Sequence, residues 1–338
     1  MLHWRTSKPQ WPGFIKLALD KALAAEDDNA ITQCLLLAME SVPTTPVSSV
    51  PSNNQFFKPA LVYLTAQKDA RWIRGAWFAY QAQPFFDAIT AEEAKLLLEN
   101  LLEVPRIEFQ AERILSQIAR NHLSLVWDYF GQRLKGRAKR EEEDRYQAIP
   151  YQFHGLEKEL SKHPKLAVAT VRRWYEEDST LFRFFGGRLL STAFPKFQSE
   201  ISNELGELVT NGTGTDADFV LAVMENYHGE VATHEVLKRI VAKYPRDPSK
   251  LSGVGVSFDS IDGVVGEFGF VDAMREKKAA IEPWLSDPRP EVRAFAEKHI
   301  GNLDVCIADE QRRAEGEEAM RMLDYDDDQD RGEKKDDD

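Results

Sequence analysis

Two pairs of histidines are the residues best suited to metal binding or proton transfer. His154 and His163 are nine residues apart, and His228 and His234 are six apart. Side chains share a helix face at spacings of three or four, so neither pair brings two imidazoles together. No cysteine or glutamate pair lies nearby to complete a site. The sequence therefore predicts no metal site.

Glycines at Gly253 and Gly255 could cradle a phosphate, but the lysine and Ser/Thr that complete such a loop do not follow them. The chain also lacks the Gly-x-Ser-x-Gly and His-Glu-x-x-His motifs of hydrolases. We therefore predict no catalytic residues, no cofactor and no enzymatic activity. A lyase-like or glycosylase-like enzyme on a helical-repeat fold stays open as a third interpretation.

Two arginines stand beside two aromatic residues in the sequence Arg172-Arg173-Trp174-Tyr175, and two further arginines follow. Such residues can neutralise phosphates and stack on bases, so this region is the best candidate for a binding surface. The candidate residues are Arg172, Arg173, Tyr175, Arg183 and Arg188. The competing interpretation, which we favour, puts Trp174 in the core and pairs the arginines with the acidic residues 176–178.

The elements that would position such residues are clearest near the C-terminus. A first apolar stripe at helical spacing comprises Phe270, Met274, Ile281 and Leu285. Pro288 and Pro290 then stop the helix, because each lacks a backbone donor and disfavours the α conformation of the residue before it. A second stripe follows at Val292, Phe295, Ala296, His299, Ile300 and Leu303. The pattern predicts two antiparallel helices joined by a stiff turn.

The segment Asp287-Pro-x-Pro-x-Val292-Arg293-x-x-Ala296 resembles the turn and second helix of HEAT repeats. The signature residues are Asp287, Pro288, Pro290, Val292, Arg293 and Ala296. The resemblance implies that Asp287 ties down the turn and that Arg293 contacts acidic groups of a neighbouring repeat. Both residues are then structural rather than catalytic. A weaker match begins at Asp69, one position out of register.

Helix signals recur in the rest of the chain. Thr90-x-x-Glu93 is a capping box that predicts a helix over residues 91–103. Gly186 and Gly187 interrupt another helical stripe over residues 180–190, which predicts a kink or a close approach by a neighbouring backbone. Since no clear strand pattern competes, we predict an all-α fold.

We expect this fold to be an irregular α-α superhelix, a HEAT-like or armadillo-like solenoid. One array of helical pairs would fill residues 1–305, with surface loops at 42–54 and at the glycine-rich segment 251–269. A polar helix would follow at 306–323. An acidic tail at 324–338 would be disordered, because its composition cannot bury enough apolar surface.

Charge, hydropathy and cysteine content limit the partners and the cellular location that we expect for this protein. The net charge of the 338-residue chain is −13, of which the acidic tail contributes −6, and the remaining −7 disfavours broad binding to a polyanion. No run of eighteen apolar residues and no secretory signal occurs. The two cysteines, Cys34 and Cys306, show no paired spacing. These features favour a cytoplasmic protein that does not enter a membrane.

The function predicted from the sequence is a non-catalytic interaction or scaffold module that binds a protein partner. The array begins almost at Met1 without a capping segment, so we expect it to be the C-terminal part, or the partner, of a larger bacterial regulatory or defence machine. The alternative is a solenoid that binds nucleic acid through the basic and aromatic residues of 172–188. The sequence leaves the oligomeric state open.

Overall fold

The computed structural model describes residues 11–40, 54–76, 83–137, 146–261, 263 and 266–333, and within these residues the fold is all-α. The α-helices are α1 (Trp11–Ala24), α2 (Asp28–Glu40), α3 (Asn54–Ala66), α4 (Gln83–Ala88), α5 (Ala91–Leu101), α6 (Phe109–Arg137), α7 (Glu157–Leu160), α8 (Pro164–Glu177), α9 (Ser179–Ala193), α10 (Ser199–Asn211), α11 (Gly214–Met224), α12 (His234–Lys243), α13 (Pro248–Asp259), α14 (Gly269–Ile281) and α15 (Pro290–Glu333). Short 3₁₀ helices are Arg71–Gly75, Glu225–Tyr227, Val231–Thr233 and Glu282–Ser286.

The chain divides into two compact units, an N-terminal unit of Met1–Pro195 and a C-terminal unit of Lys196–Asp338. In the N-terminal unit α2 packs on α1 and α3, α5 on α3 and α6, and α8 on α9. In the C-terminal unit α10 packs on α12, α11 on α13, and α15 on α12 and α14. A single array across residues 1–305 stays a prediction.

Arg133 of α6 lies at the centre of the N-terminal unit with no exposed surface. The carbonyl oxygens that accept its N–H groups belong to Leu101, Val104, Pro105, Gln147 and Ala148, at 2.7–3.4 Å. The guanidinium also lies 4.5 Å from the centre of the Tyr146 ring. Carbonyl dipoles therefore replace the water that this buried charge would otherwise require. One side chain joins α6 to the turn after α5 and to the segment that precedes α7.

Replacing Arg133 with methionine should lower the free energy of unfolding by about 3 kcal/mol or more, because five carbonyl groups lose their donors together. Urea denaturation measures the loss. Arg133→Lys keeps the charge with fewer donors. Its free energy of unfolding should lie between those of the unchanged protein and of Arg133→Met. Arg106→Met is the matched control, since Arg106 is exposed in the turn after α5, and it should change stability by no more than about 0.5 kcal/mol. Equal stability of the two methionine variants would contradict the structural role of Arg133.

An aromatic cluster forms the core of the C-terminal unit around His234, the first residue of α12. Its ring lies 5.1 Å from the Phe258 ring and 5.4 Å from the Trp284 ring, centre to centre. Trp284 Nε1 donates to His234 Nδ1 at 3.2 Å, so that nitrogen carries no proton. Nε2–H points at the carbonyl of Gly229, 3.4 Å away. His234 is therefore neutral, with its proton on Nε2.

Burial lowers the pKa of His234 from 6.5 to about 4, and the positive charges of Lys238 and Lys277 act in the same direction. The folded protein thus takes up a proton less readily than the unfolded chain. The resulting stability is complete above pH 6.5 and is lost as the pH falls from 6.5 towards 4.

Between pH 7 and pH 4.5 the protein should lose about 2 kcal/mol more stability than a His234→Gln variant, which has no imidazole to protonate. Urea unfolding of both proteins at the two pH values tests this difference, since other titrating groups are common to both. In NMR spectra the His234 Cε1–H signal should stay constant from pH 7.5 to 5.5. A midpoint near 6.5 for that signal would disprove the neutral buried state.

The turn before α15 is held by Asp287, which is 7 % exposed. Its carboxylate accepts from the Arg289 backbone N–H at 3.1 Å and from Arg289 Nε at 2.7 Å, and Lys238 of α12 lies 3.2 Å away. These bonds lower the pKa of Asp287, the Arg289 side-chain bond contributing most. Arg289 also reaches Glu235 of α12 at 3.1 Å.

Arg293 has a different role from the one that the resemblance implied. Its Nη1 donates to the carbonyl oxygens of Asp287 and Pro288 at 2.8 and 3.0 Å. The arginine that contacts acidic groups is Arg289, in the turn before α15, which bonds to the carboxylates of Asp287 and of Glu235 on α12. Val292 and Ala296 are fully buried beneath the turn.

The same device occurs at the start of the 3₁₀ helix Arg71–Gly75. The Asp69 carboxylate accepts from the Arg71 backbone N–H and from its Nε, both at 2.9 Å. Arg71 then reaches Asp28 of α2 at 3.3 Å. Two Asp-x-Arg clamps thus fix two turns, each with an acidic residue on an earlier helix. A 3₁₀ helix follows the clamp at Asp69, whereas an α-helix follows the clamp at Asp287.

The glycine-rich segment 251–269, predicted as a loop, is helical over residues 251–259, which belong to α13, and its last residue, Gly269, begins α14. The Asp247 side chain caps this helix by accepting from two backbone N–H groups, and Pro248 occupies its first turn. A Cβ atom on Gly253 would lie 2.7 Å from Leu221 of α11. Gly253 therefore permits close packing of α13 on α11, whereas Gly263 and Gly266, beyond the end of α13, have positive φ angles.

The acidic tail also differs from its prediction. Helix α15 continues through the predicted polar helix 306–323 and reaches Glu333, so residues 324–333 are helical, while 334–338 lie outside the described residues. Extending a helix that is already packed needs no new nucleation, which favours continuation over disorder. The predicted loop 42–54 falls outside the described residues except for Asn54, where α3 begins. Among the described helices, none is long and apolar enough to cross a membrane.

Candidate functional site: an aromatic–arginine surface

The five residues predicted as a binding surface do not form one surface. Arg172 pairs with Glu176 at 2.8 Å, and Arg173 pairs with Asp128 of α6 at 3.3 Å. Tyr175 is 8 % exposed and belongs to the core. The adjacent Trp174 is buried against Phe182, with ring centres 5.5 Å apart. On α8 the structural interpretation of these residues therefore describes the molecule better than the binding interpretation.

The two remaining arginines lie on α9. Arg183 is exposed. Arg188 is half-buried, and its guanidinium lies 4.6 Å from the ring centre of Tyr151, which precedes α7. The Tyr151 ring is 84 % exposed, so this pair is on the surface.

A second arginine and two phenylalanines extend this pair. Arg137, at the end of α6, lies 4.6 Å from the ring centre of Phe185. Phe184 packs edge-on against Phe185 at 5.2 Å and is itself 59 % exposed. We call Arg137, Tyr151, Phe184, Phe185 and Arg188 the aromatic–arginine surface. Phe184, Phe185 and Arg188 are neighbours on one face of α9, because residues three and four apart meet on a helix.

Close packing on the other side of α9 turns the phenylalanines outwards. A Cβ atom on Gly186 would lie 2.8 Å from Val171 of α8, so the glycine lets the two helices approach. The helix is continuous from Ser179 to Ala193, which supports the predicted close approach and not the predicted kink. At its start the Asp178 carboxylate accepts from the Leu181 backbone N–H at 3.0 Å.

Two groups of basic side chains lie around α8 and α9, one paired with carboxylates and one in contact with aromatic rings. Lys135 donates to Glu177 at 2.9 Å, and this bond lowers the pKa of the Glu177 carboxyl. Together with the pairs of Arg172 and Arg173, it neutralises the α8 side. Within the described part of the chain, Arg137 and Arg188 have aromatic contacts and no carboxylate partner. The positive charge is therefore concentrated beside the exposed rings.

Comparisons with protein families, curated proteins and solved structures found no match to this chain. Within the described residues, no group of three or more His, Cys, Asp or Glu side chains is arranged to hold a metal ion.

Several members of the surface were missed by the sequence analysis. Phe184 and Phe185 lie within the apolar stripe over residues 180–190, and spacing within that stripe does not show which of its residues face solvent. Tyr151 and Arg137 are distant from α9 in the sequence, and no local spacing connects them to it. The usable signal was the cluster Phe184-Phe185-x-x-Arg188, whose ring and charge spacing fits one helix face.

Proposed function

We propose that this protein is a non-catalytic interaction module and that it binds a protein partner through the aromatic–arginine surface. The observation that carries the proposal is the exposure of Phe184 and Tyr151 beside two arginines that have no carboxylate partner among the residues the structure describes. Aromatic residues and arginine are enriched at the energetic centres of protein interfaces. The cation–π contacts also hold the arginine side chains in place before binding, which lowers the entropy cost of association.

The partner that fits best presents apolar side chains flanked by aspartate or glutamate. Its apolar groups would cover Phe184 and Tyr151, and its carboxylates would reach Arg137 and Arg188. Since guanidinium groups bind carboxylates with two parallel hydrogen bonds, the arginines would fix the register of the segment.

The wider proposal retains a HEAT-like solenoid acting in the cytoplasm as part of a larger bacterial assembly. The use of one Asp-x-Arg clamp at both Asp69 and Asp287 supports a repeated architecture. A cytoplasmic location agrees with the two cysteines, Cys34 and Cys306, which are free thiols and are far apart in the sequence.

Nucleic-acid binding is the second candidate, because exposed rings beside arginines can also stack on bases. Against it, Arg172 and Arg173 are engaged by carboxylates and Tyr175 is buried. These contacts remove three of the five residues that the alternative required.

The test is a selection of random displayed peptides against the whole chain, followed by affinity measurements on synthetic copies of the selected peptides. We expect peptides with Leu, Phe or Trp between acidic residues. Phe184→Ser and Arg188→Glu should each weaken their binding tenfold or more, as expected at the centre of an interface. Phe184 is exposed, so Phe184→Ser should change stability by no more than about 0.5 kcal/mol. Arg188 is half-buried and contacts Tyr151, so Arg188→Glu should lower stability by no more than about 1 kcal/mol.

Phe109 and Arg113 provide a matched control, because Arg113 lies 4.1 Å from the centre of the Phe109 ring and that ring is 54 % exposed. Phe109→Ser and Arg113→Glu should leave peptide affinity unchanged. Equal losses in both pairs of variants would contradict the proposed site. If a single-stranded oligothymidylate binds with steep salt dependence, and if Arg188→Glu abolishes this binding, the nucleic-acid function would be favoured instead.

A further inference from the structure

An open groove of about 1200 Å³ lies between α13 and α15 in the C-terminal unit. Apolar side chains of Leu251, Val256 and Phe295 line part of its wall, and Val256 is 56 % exposed. Helix α15 packs on α12 and α14, while α13 packs on α11 and α12, so the groove separates two helices that are held by other neighbours. Its volume exceeds the range of about 300–1,000 Å³ typical of ligand pockets, so the groove has room for a small molecule.

His299 of α15 reaches across this groove to α13. Its Nε2–H donates to Asp259 Oδ1 at 2.8 Å, and its ring stacks on Phe295 at an angle of 12°. The side chain is 9 % exposed. Gly255 leaves room for the ring, because a Cβ atom there would lie 3.4 Å from His299 Cε1. Nδ1 has no hydrogen-bond partner among the described residues, so a nine-tenths buried polar group is left available at the groove wall.

Two polar residues of α15 lie beside His299. Lys298 precedes it, and Asn302 follows Lys298 by one helical turn on the same face. Neither side chain has a hydrogen-bonding or ionic partner within the described structure. The same is true of Arg246, which lies in the turn after α12 and also lines the groove. An ammonium, an amide and an imidazole nitrogen therefore occupy adjacent positions on one helix and open into the same groove.

The two acidic residues that line the groove leave the part beside Lys298, His299 and Asn302 able to accept an anion. Asp259 is engaged by His299 at 2.8 Å. Glu291 lies seven residues before Lys298 on α15, which places it two turns or about 10 Å away along the helix axis. The part of the groove beside Lys298 is therefore positively charged and is separated from the part beside Glu291.

We propose that the α13–α15 groove binds a small organic anion. Its carboxylate or phosphate group contacts Lys298, His299 and Asn302, and its apolar body lies against Phe295 and Val256. When the His299 ring carries both protons, Nδ1–H donates to the anion and the Asp259 carboxylate balances the charge of the ring. The site is separate from the aromatic–arginine surface and does not rest on the function proposed for that surface.

The probes are benzoate and phenyl phosphate, with benzyl alcohol as the neutral analogue. Each is titrated into the whole chain while the His299 Cε1–H signal is followed by NMR, and the signal is assigned by its absence in His299→Gln. If that variant does not fold, the contact of the ring with Phe295 assigns the signal. At least one anion should shift the signal to saturation and bind about tenfold or more tightly than benzyl alcohol, and the tighter of the two identifies the head group.

Lys298→Gln should weaken anion binding about fivefold or more without affecting the fold, because Lys298 is exposed. Arg312→Gln makes the same change of charge on an exposed part of α15 outside the groove and should change affinity less than twofold. Three outcomes would overturn the proposal: no shift with either anion, equal binding of benzyl alcohol, or equal effects of the two variants. Inorganic phosphate that binds as tightly as phenyl phosphate would overturn the role of the apolar wall.

Discussion

The buried guanidinium of Arg133 is the contact on which the surface of the N-terminal unit depends. It binds five carbonyl oxygens, one at the end of α5, two in the turn after α5 and two in the irregular segment 147–148. Tyr151 lies three residues beyond the second segment, and Arg137 lies one turn beyond Arg133 on α6. A charge that is costly to bury thus fixes both the tyrosine side and the arginine side of the aromatic–arginine surface.

The C-terminal unit is organised by a chain of aromatic and imidazole contacts. Trp284 donates to His234, Phe258 contacts both of these rings, and Phe258 also lies 5.6 Å from His299. His234 is neutral and fully bonded at the inner end of this cluster, whereas His299 is bonded on one nitrogen at the groove. The two histidines therefore have different chemistry, because both ring nitrogens of His234 have partners in the core, whereas His299 is buried at the wall of an open groove with one ring nitrogen unbonded among the described residues.

Local sequence signals predicted the helices well where the backbone could satisfy its own polar groups. The capping box of Thr90 and Glu93 is formed with both of its hydrogen bonds, and Pro290 begins α15 as predicted. The helix before it ends earlier than predicted, at Ile281, and the 3₁₀ helix Glu282–Ser286 separates it from Pro288. The same reasoning misread the glycines of α13, since composition does not reveal that Leu221 and His299 approach them. Candidate site residues were misread for a similar reason: burial of Tyr175 and exposure of Phe184 depend on which helix faces meet.

The sequence by itself determined the all-α fold, the stiff turn at Asp287 and the presence of arginines among aromatic residues. These properties depend on residue type, on short spacings and on the conformational limits of proline. Only the tertiary structure decided which arginines are neutralised, which rings are exposed and that Tyr151 and Arg137 join α9. Charge pairing and burial are set by contacts between segments far apart in the chain, so periodicity within one helix cannot specify them.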